Sequence, residues 1–427
     1  MSTLDSTVAK PTKGLSRDFQ IFWIGQTISN LGNSISRFVL PLLVFKLTGS
    51  SVQLAIAATA YELPPILVGL VIGAWIDRVD RRKLMLLTDV GRAIVIASIP
   101  ILALLNLLSL WWIYVSGFLL ALLTVCFDNA ELTSIPSLVE REDLITANGR
   151  IQASYAAAMV LGPVLAGLLL TVLSIELLLA LDVVSFAISG WSLLAIRRSF
   201  NPAGPPPQTR LRDDIAEGLR YVWHHPVLRS ISAMMVIFYG VSYTTTAQLV
   251  LFAKEWLQVS DSQTSVLFAA GGVGSLVLAL AAEPLRRRLP FSAIQLGAIM
   301  LQGLLTVALA LNRSFWLAVV LWGTIVGLNT MFVLLSFSLR QAIVPNHLLG
   351  RVVSVAMVIA SALVPLGIMI GGFVIERVQN VSLVYTVIGV AVFLLGLAFT
   401  LSPLRHAERY IKEATEAIER AERAGAA

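Results

Sequence analysis

Residues Gly73–Lys83 read GAWIDRVDRRK and form the densest run of charge in the first half of a 427-residue chain. Long apolar runs flank them, at 52–72 and 84–108. A helix that crosses a bilayer needs roughly 20 apolar residues, and each run is long enough. Six charges between two such spans must sit in water or among headgroups, because a charge inside hydrocarbon is costly. Four of the six are basic, which places this loop on the cytoplasmic side.

Composition sets the class. Hydrophobic residues make up 57% of the chain and charged residues 13%, against about 25% charged in soluble domains. The net charge of +6 does not indicate nucleic acid, because the arginines lie in short loops between apolar spans and form no continuous basic face. The single cysteine, Cys126, falls inside a span and allows no disulfide within the chain. The first nineteen residues are polar, so no signal peptide is expected. None of the six lysines follows a glycine, which excludes the phosphate-binding G-x-x-x-x-G-K-[ST] loop. His224, His225, His347 and His406 fall in loops without metal-ligand spacing. No cofactor, metal site or hydrolytic centre is expected.

Twelve apolar runs follow one another, at approximately 19–45, 52–74, 84–107, 110–133, 144–172, 176–196, 229–253, 263–283, 291–311, 314–339, 349–375 and 381–402. Their length and all-round hydrophobicity predict spanning helices. Of the 31 Lys and Arg residues, 25 fall on the side of the Gly73–Lys83 loop. The opposite side has only Lys46, Lys254, Arg313 and Arg377, and Arg37 and Arg92 lie within spans. This bias predicts that both termini are cytoplasmic. The chain then divides into a tail (1–18), a six-helix bundle (19–196), a linker (197–228), a second bundle (229–402) and a helical tail (403–427). The linker opens with Asn201-Pro-Ala-Gly-Pro-Pro-Pro207, which cannot be helix interior. Its residues 212–223 predict an amphipathic helix with Ile215, Leu219 and Val222 on one side. The halves repeat weakly: Ile135-Pro136 precedes Asn148-Gly149-Arg150, Val344-Pro345 precedes Leu349-Gly350-Arg351, and Pro163 matches Pro365.

On these residues a resemblance can be stated. GAWIDRVDRRK resembles the loop between helices 2 and 3 of the major facilitator superfamily, G-x-L-A-D-R-x-G-R-K. Gly73, Asp77, Arg78, Arg81 and Arg82 occupy its positions, and Asp80 replaces the second glycine. Leu161-Gly162-Pro163-Val164-Leu165-Ala166-Gly167 resembles the G-P-x-x-G-G motif of exporters in that superfamily, with Ala166 for one glycine. The order FDNA, SIPSLV, REDLITAN and LGPVLAGLL between Cys126 and Leu169 is similar to the branch holding macrolide efflux proteins and the enterobactin exporter. The resemblance implies an all-α integral membrane fold, twelve helices in two six-helix bundles. It also implies a gating role for the loop, and the helix-5 motif Gly162, Pro163 and Gly167 points toward export. Relatives often carry Gly-Asp where this chain has Gly32-Asn33.

Intramembrane charges need a partner or a purpose. Asp89 and Arg92 are three apart and can pair on one helix face. Arg37 and Glu62 lie at similar depth on neighbouring helices and are expected to pair. Glu62 and Asp128, with Arg37, are the candidates for proton coupling. Glu131 is expected to face an arginine of the loop, such as Arg81, and Asp182 to be a partly solvated residue near the outer end of its helix. No charge is expected well inside a span of the second half. Gln26, Asn30, Asn33 and Arg37 fall on one face of the first span. With Tyr239, Tyr243, Gln248 and Asn329 they are the expected lining of a cavity suited to a bulky amphipathic ligand. The functional expectation is a monomeric secondary transporter of the inner membrane that exports a small molecule, a drug or siderophore, against protons. An importer or lipid flippase on the same fold, or a receptor that has lost transport, are the alternatives.

Overall fold

The computed structural model describes residues 15–76, 78–201 and 211–412. These residues are helical throughout, without a strand, and twelve of the helical segments are long and apolar enough to cross a membrane. The first six are α1 (Arg17–Thr48), α2 (Ser51–Ile76), α3 (Arg81–Leu104), α4 (Leu110–Leu138), α5 (Leu144–Leu169) and α6 (Ile175–Ala195). A shorter helix, α7 (Leu211–His224), precedes α8 (Pro226–Ala247). Then come α9 (Leu249–Leu251), α10 (Asp261–Arg288), α11 (Phe291–Leu311), α12 (Phe315–Ile343), α13 (Asn346–Ser361), α14 (Val364–Val378) and α15 (Val381–Phe399).

The helix ends carry local signals. Ser16, Ser109, Ser174 and Ser260 cap α1, α4, α6 and α10 by accepting from the backbone N–H three residues on, which satisfies donors that a helix start leaves open. Gly49 ends α1 in the left-handed region at φ 60°, where glycine carries no steric penalty.

Two spans differ from expectation. The seventh is broken after Ala247 and finishes as α9 and a π-helical turn, Phe252–Trp256. The eleventh is two helices, α13 and α14, separated at Ala362–Leu363. Pro365 follows that break, and proline removes a backbone donor and clashes with the preceding turn. The tenth span, α12, runs on to Ile343 and carries Arg340 in its last turn. A basic side chain there is favoured by the negative end of the helix dipole.

Within each half, α1 packs on α5 and α6, α3 on α4 and α6, α10 on α12, and α11 on α12 and α15. Between the halves, α5 packs on α10 and α2 on α14. The start of α1, the α2–α3 loop and the described linker residues 197–201 share one end of the bundle, called here the basic end. At the far end the halves are stitched together. Lys46 pairs with Asp261 at 2.5 Å, and Lys254 reaches the other oxygen of that carboxylate. Ser51 donates through Oγ to the Gly372 carbonyl (2.8 Å) and to Glu376 (2.9 Å). Ser262 Oγ donates to the Gly167 carbonyl at 2.8 Å.

Candidate functional site

Beneath the far-end closure lies a cavity of about 380 Å³, walled by α1 to α6 on one side and by α8, α9, α10 and α14 on the other. Phe38, Leu40, Val44, Ile96, Ile113, Phe268 and Ile368 make most of its wall apolar. Asn33, Arg37, Tyr61, Glu62, Asp182 and Tyr243 supply its polar points.

Three of the expected lining residues, Asn33, Arg37 and Tyr243, face this cavity, and Pro163 does too. Gln26 does not: it is buried and donates to Ser189 Oγ at 3.1 Å, tying α1 to α6. Gln248 does not either. Its amide donates to the Ser51 carbonyl at 2.7 Å and closes the far end. In both, the buried amide nitrogen finds a partner on a neighbouring helix, as buried donors require. Asn30, Tyr239 and Asn329 also lie off the cavity wall, and Tyr239 stacks edge-on against Tyr243 at 5.7 Å.

Arg37 and Glu62 both line the cavity but form no ion pair. Arg37 Nε donates to Tyr61 Oη at 3.1 Å, with the guanidinium 5.6 Å from that ring. Tyr61 therefore takes the place expected for Glu62, and the Glu62 carboxylate has no hydrogen-bond partner among the described residues. Tyr61 was missed in the sequence because a tyrosine in an apolar span gives no charge signal.

Asp182 is a cavity residue, not a solvated one. It is buried and accepts from Ser36 Oγ at 2.5 Å and Ser185 Oγ at 2.9 Å. Asp89 and Arg92 pair at 2.5 Å and are both buried, as expected. Ser189 donates to the other Asp89 oxygen at 2.7 Å, and the Arg92 guanidinium lies 4.1 Å over Phe127 and 4.7 Å over Phe186. Glu131 is buried and accepts from Tyr155 Oη at 2.7 Å. Its partner is thus a tyrosine and not Arg81. Asp128 is exposed on α4 and continues the stripe Gly117, Leu120 and Thr124 that lines the cavity.

The loop between α2 and α3 is held by its arginines. Arg81 Nη1 donates to the Thr133 carbonyl at 2.6 Å, and the Arg81 N–H donates to Asn201 Oδ1 at 3.1 Å. Arg82 Nη2 donates to the Leu194 carbonyl at 2.6 Å. Arg78 N–H donates to the Trp75 carbonyl at 3.0 Å. The Arg81 and Arg82 bonds fasten the loop to the ends of α4 and α6 and to the linker, and the Arg78 bond is a local turn. Gly73 lies in the last turn of α2, and Asp77 lies outside the described residues. Arg351, near the expected partner site of Asp77, pairs with Glu217 of α7.

The α5 motif is a close-approach device. A Cβ on Gly162 would meet Ser34 Oγ of α1 at 2.4 Å, and one on Gly167 would meet Ser265 Oγ of α10 at 1.8 Å. Gly162 thus serves the first half and Gly167 the contact between halves.

Comparison with known proteins agrees with this architecture. A family model described as transmembrane secretion effector matches residues 13–423. The chain belongs to that family. This secretion-effector chain is 28% identical over 352 residues to the multidrug efflux pump Tap of Mycolicibacterium fortuitum, covering 80% of the chain and 85% of the relative. It is 25% identical over 374 residues to macrolide efflux protein A of Streptococcus pyogenes, covering 84% and 90%. In fold it is similar to a bacterial homologue of the human lysosomal transporter Spinster in its inward-facing, unoccupied conformation. That match has a TM-score of 0.71 at 16% identity and covers 93% and 97%. The nucleoside transporter NupG matches with a TM-score of 0.71 at 12% identity, covering 90% and 98%. The chain is therefore a multi-pass membrane transporter of the major facilitator type and not an enzyme.

Proposed function

We propose that this transporter exports an amphipathic small molecule in exchange for protons, by alternating access between two six-helix halves. The cavity carries this reading. It lies between the halves, is closed at the far end, and combines an apolar wall with a few polar points. Such a lining suits a drug-sized ligand held by burial and oriented by a few hydrogen bonds. With the basic end in the cytoplasm, the described conformation is the inward-facing one, ready to load from inside. The efflux roles named for Tap and macrolide efflux protein A support the direction.

Glu62 is the proposed proton carrier. It faces the cavity across from Arg37, which Tyr61 holds by its own hydroxyl. Rocking of the halves would change the distance between the carboxylate and that cation, and with it the affinity for a proton. Asp128 is the other candidate. The α2–α3 loop is the proposed gate on the basic end, with Asp77 meeting the start of α13 when the cavity faces outward. There the positive end of a helix dipole favours an anion. Asp77→Asn is expected to fold normally and transport slowly.

Everted membrane vesicles, a compound panel, and an imposed or collapsed proton gradient test the reading. Wild-type protein is expected to accumulate at least one amphipathic compound only with the gradient. Glu62→Gln is expected to lose gradient-driven uptake while keeping substrate exchange. Uptake indifferent to the gradient in the wild type removes the coupling. Unchanged coupled uptake in Glu62→Gln removes Glu62 from it.

A further inference from the structure

Arg37 and Glu62 share one cavity wall and no bond, although opposite charges attract strongly where the dielectric is low. Arg37 comes from α1 and Glu62 from α2, so both belong to the first half. What Arg37 binds instead is the residue before Glu62. Its Nε donates to Tyr61 Oη at 3.1 Å, and the guanidinium carbon lies 5.6 Å from the centre of that ring. This is the one hydrogen bond of the Arg37 side chain among the described residues. Its Nη1 and Nη2 are exposed toward the cavity without a described protein partner. The cation is therefore anchored by one nitrogen, and the acid beside its anchor accepts nothing.

The backbone of α2 is weakened at the same turn. Pro64 and Pro65 follow inside the helix, and neither carries an N–H. The carbonyls of Ala60 and Tyr61 therefore lack the donor that a helix supplies from four residues on. Helices bend at such prolines, so the turn that carries Tyr61 and Glu62 is a place where α2 can bend. Few other titratable groups surround the pair. Asp182 of α6 is occupied by Ser36 and Ser185. Tyr243 of α8 lines the same cavity, and Asp128 of α4 is near enough for the Arg37 charge to act on it. Of the second-half helices packed on α2, α13 and α14 bring no charged side chain to the cavity. Arg37 is the only cation among the described lining residues.

We infer that Tyr61 is a positioning residue whose hydroxyl holds Arg37 off Glu62 and keeps that ion pair open in the inward-facing conformation. The inference deepens the proposed exchange and rests on Glu62 as its carrier. With Arg37 held on the phenol, the Glu62 carboxyl is free to keep a proton. Release of Arg37 from Tyr61 to Glu62, by a bend of α2 at its prolines, replaces the proton with an ion pair. The proton then leaves to the side that the cavity faces, the cytoplasm, which is the direction export requires. Because all three side chains belong to one half, this switch is local and needs no contact between the halves to break.

Labelling by dicyclohexylcarbodiimide, which attacks protonated carboxyls, reads the state of Glu62 without transport. The full chain in detergent is labelled at the pH that half-modifies wild-type Glu62 in a fixed time, and the peptide carrying Glu62 is quantified by mass spectrometry. Tyr61→Phe keeps the ring and removes the hydroxyl. It is expected to slow labelling of Glu62 roughly tenfold or more, the effect of an opposite charge arriving beside a carboxyl. Adding Arg37→Gln to Tyr61→Phe is expected to restore the wild-type rate, which lost packing alone would not allow. Unchanged labelling in Tyr61→Phe, or slow labelling that Arg37→Gln does not restore, overturns the role of Tyr61. Glu62→Gln in the vesicle assay reports on the carrier separately. Slowed and restored labelling beside intact coupling in Glu62→Gln keeps the positioning role and removes the carrier. Unchanged labelling beside lost coupling keeps the carrier and removes the positioning role.

Discussion

The two halves share a helix arrangement but not the chemistry of their interiors. The first half is tied by polar and charged side chains. Gln26, Ser189, Asp89 and Arg92 form one continuous chain across α1, α6 and α3. Ser36, Asp182 and Ser185 form a second across α1 and α6, and Glu131 with Tyr155 joins α4 to α5. The second half has uncharged polar ties, such as Gln295 on Ser336 Oγ at 2.7 Å, and its tightest contacts are backbone on backbone. A Cβ on Gly274 would fall 1.8 Å from the Gly323 carbonyl, and one on Gly367 would fall 1.6 Å from the Gly240 carbonyl. Gly303 and Gly389 face each other in the same way across α11 and α15. Close backbone approach through small residues is how apolar helices associate in lipid. On the proposed reading the contrast is a division of labour: a first half whose interior groups exchange protons and partners, and a second half that moves as a rigid body.

The largest effect that can break this comparison is at Asp89. Arg92 and Asp89 are 1% and 2% exposed, so removing one charge leaves the other buried and unpaired. Asp89→Asn is expected to cost about 3–5 kcal/mol, read as a fall in thermal melting temperature in detergent. Melting equal to wild type would mean that the charge network does not hold the first half together.

Next in size are the glycines. Gly162 and Gly167 of α5, and Gly367 and Gly372 of α14, are each five apart and each serve one contact within a half and one between halves. Their obstacles differ. Gly162 faces the Oγ and Cβ of Ser34, a side chain that a substitution can remove, and Gly367 faces a carbonyl, which no substitution removes. Gly367→Ala is therefore expected to destabilise by about 1–3 kcal/mol or more, in the range of overpacking, and Gly162→Ala by less. Adding Ser34→Gly to Gly162→Ala should recover most of the loss, because it removes the side chain that the new Cβ meets. Equal melting temperatures for the two single variants would erase the distinction between side-chain and backbone packing.

These contrasts were only partly visible in the chain itself. The spans were legible because a bilayer demands length and hydrophobicity, and Asp89 with Arg92 because a three-residue spacing brings both to one helix face. Depth and direction were not legible. Helical periodicity places Gln26 and Arg37 on related faces, but only packing shows that one meets α6 and the other the cavity. The break after Ala247 coincides with a contact to α2, Gln248 on the Ser51 carbonyl, that no local pattern announces, whereas Pro365 marks the break after Ser361 in the sequence itself. Arg340 was placed in a loop because α12 was expected to end four residues earlier than Ile343, and so a buried cation of the second half went unnoticed.

That cation gives the smallest expected effect on stability and the finest test of the comparison. Arg340 is 3% exposed and has no carboxylate within ion-pair distance among the described residues. Its Nη1 donates to the Ser336 carbonyl at 2.9 Å, and its Nη2 reaches Ser232 Oγ at 3.4 Å. The first bond goes to a carbonyl of its own helix, and the second is long. Burying a guanidinium costs several kcal/mol, and these contacts return only part of it. Arg340→Met keeps the length of the side chain and removes the charge, so melting is expected to stay within about 1 kcal/mol of wild type or to rise. Transport by the same variant then decides what the charge is for. Unchanged transport leaves the second half as the rigid partner described above. A variant that melts like wild type yet transports poorly would show that the second half contributes a functional charge, and the division of labour would have to be redrawn around Arg340.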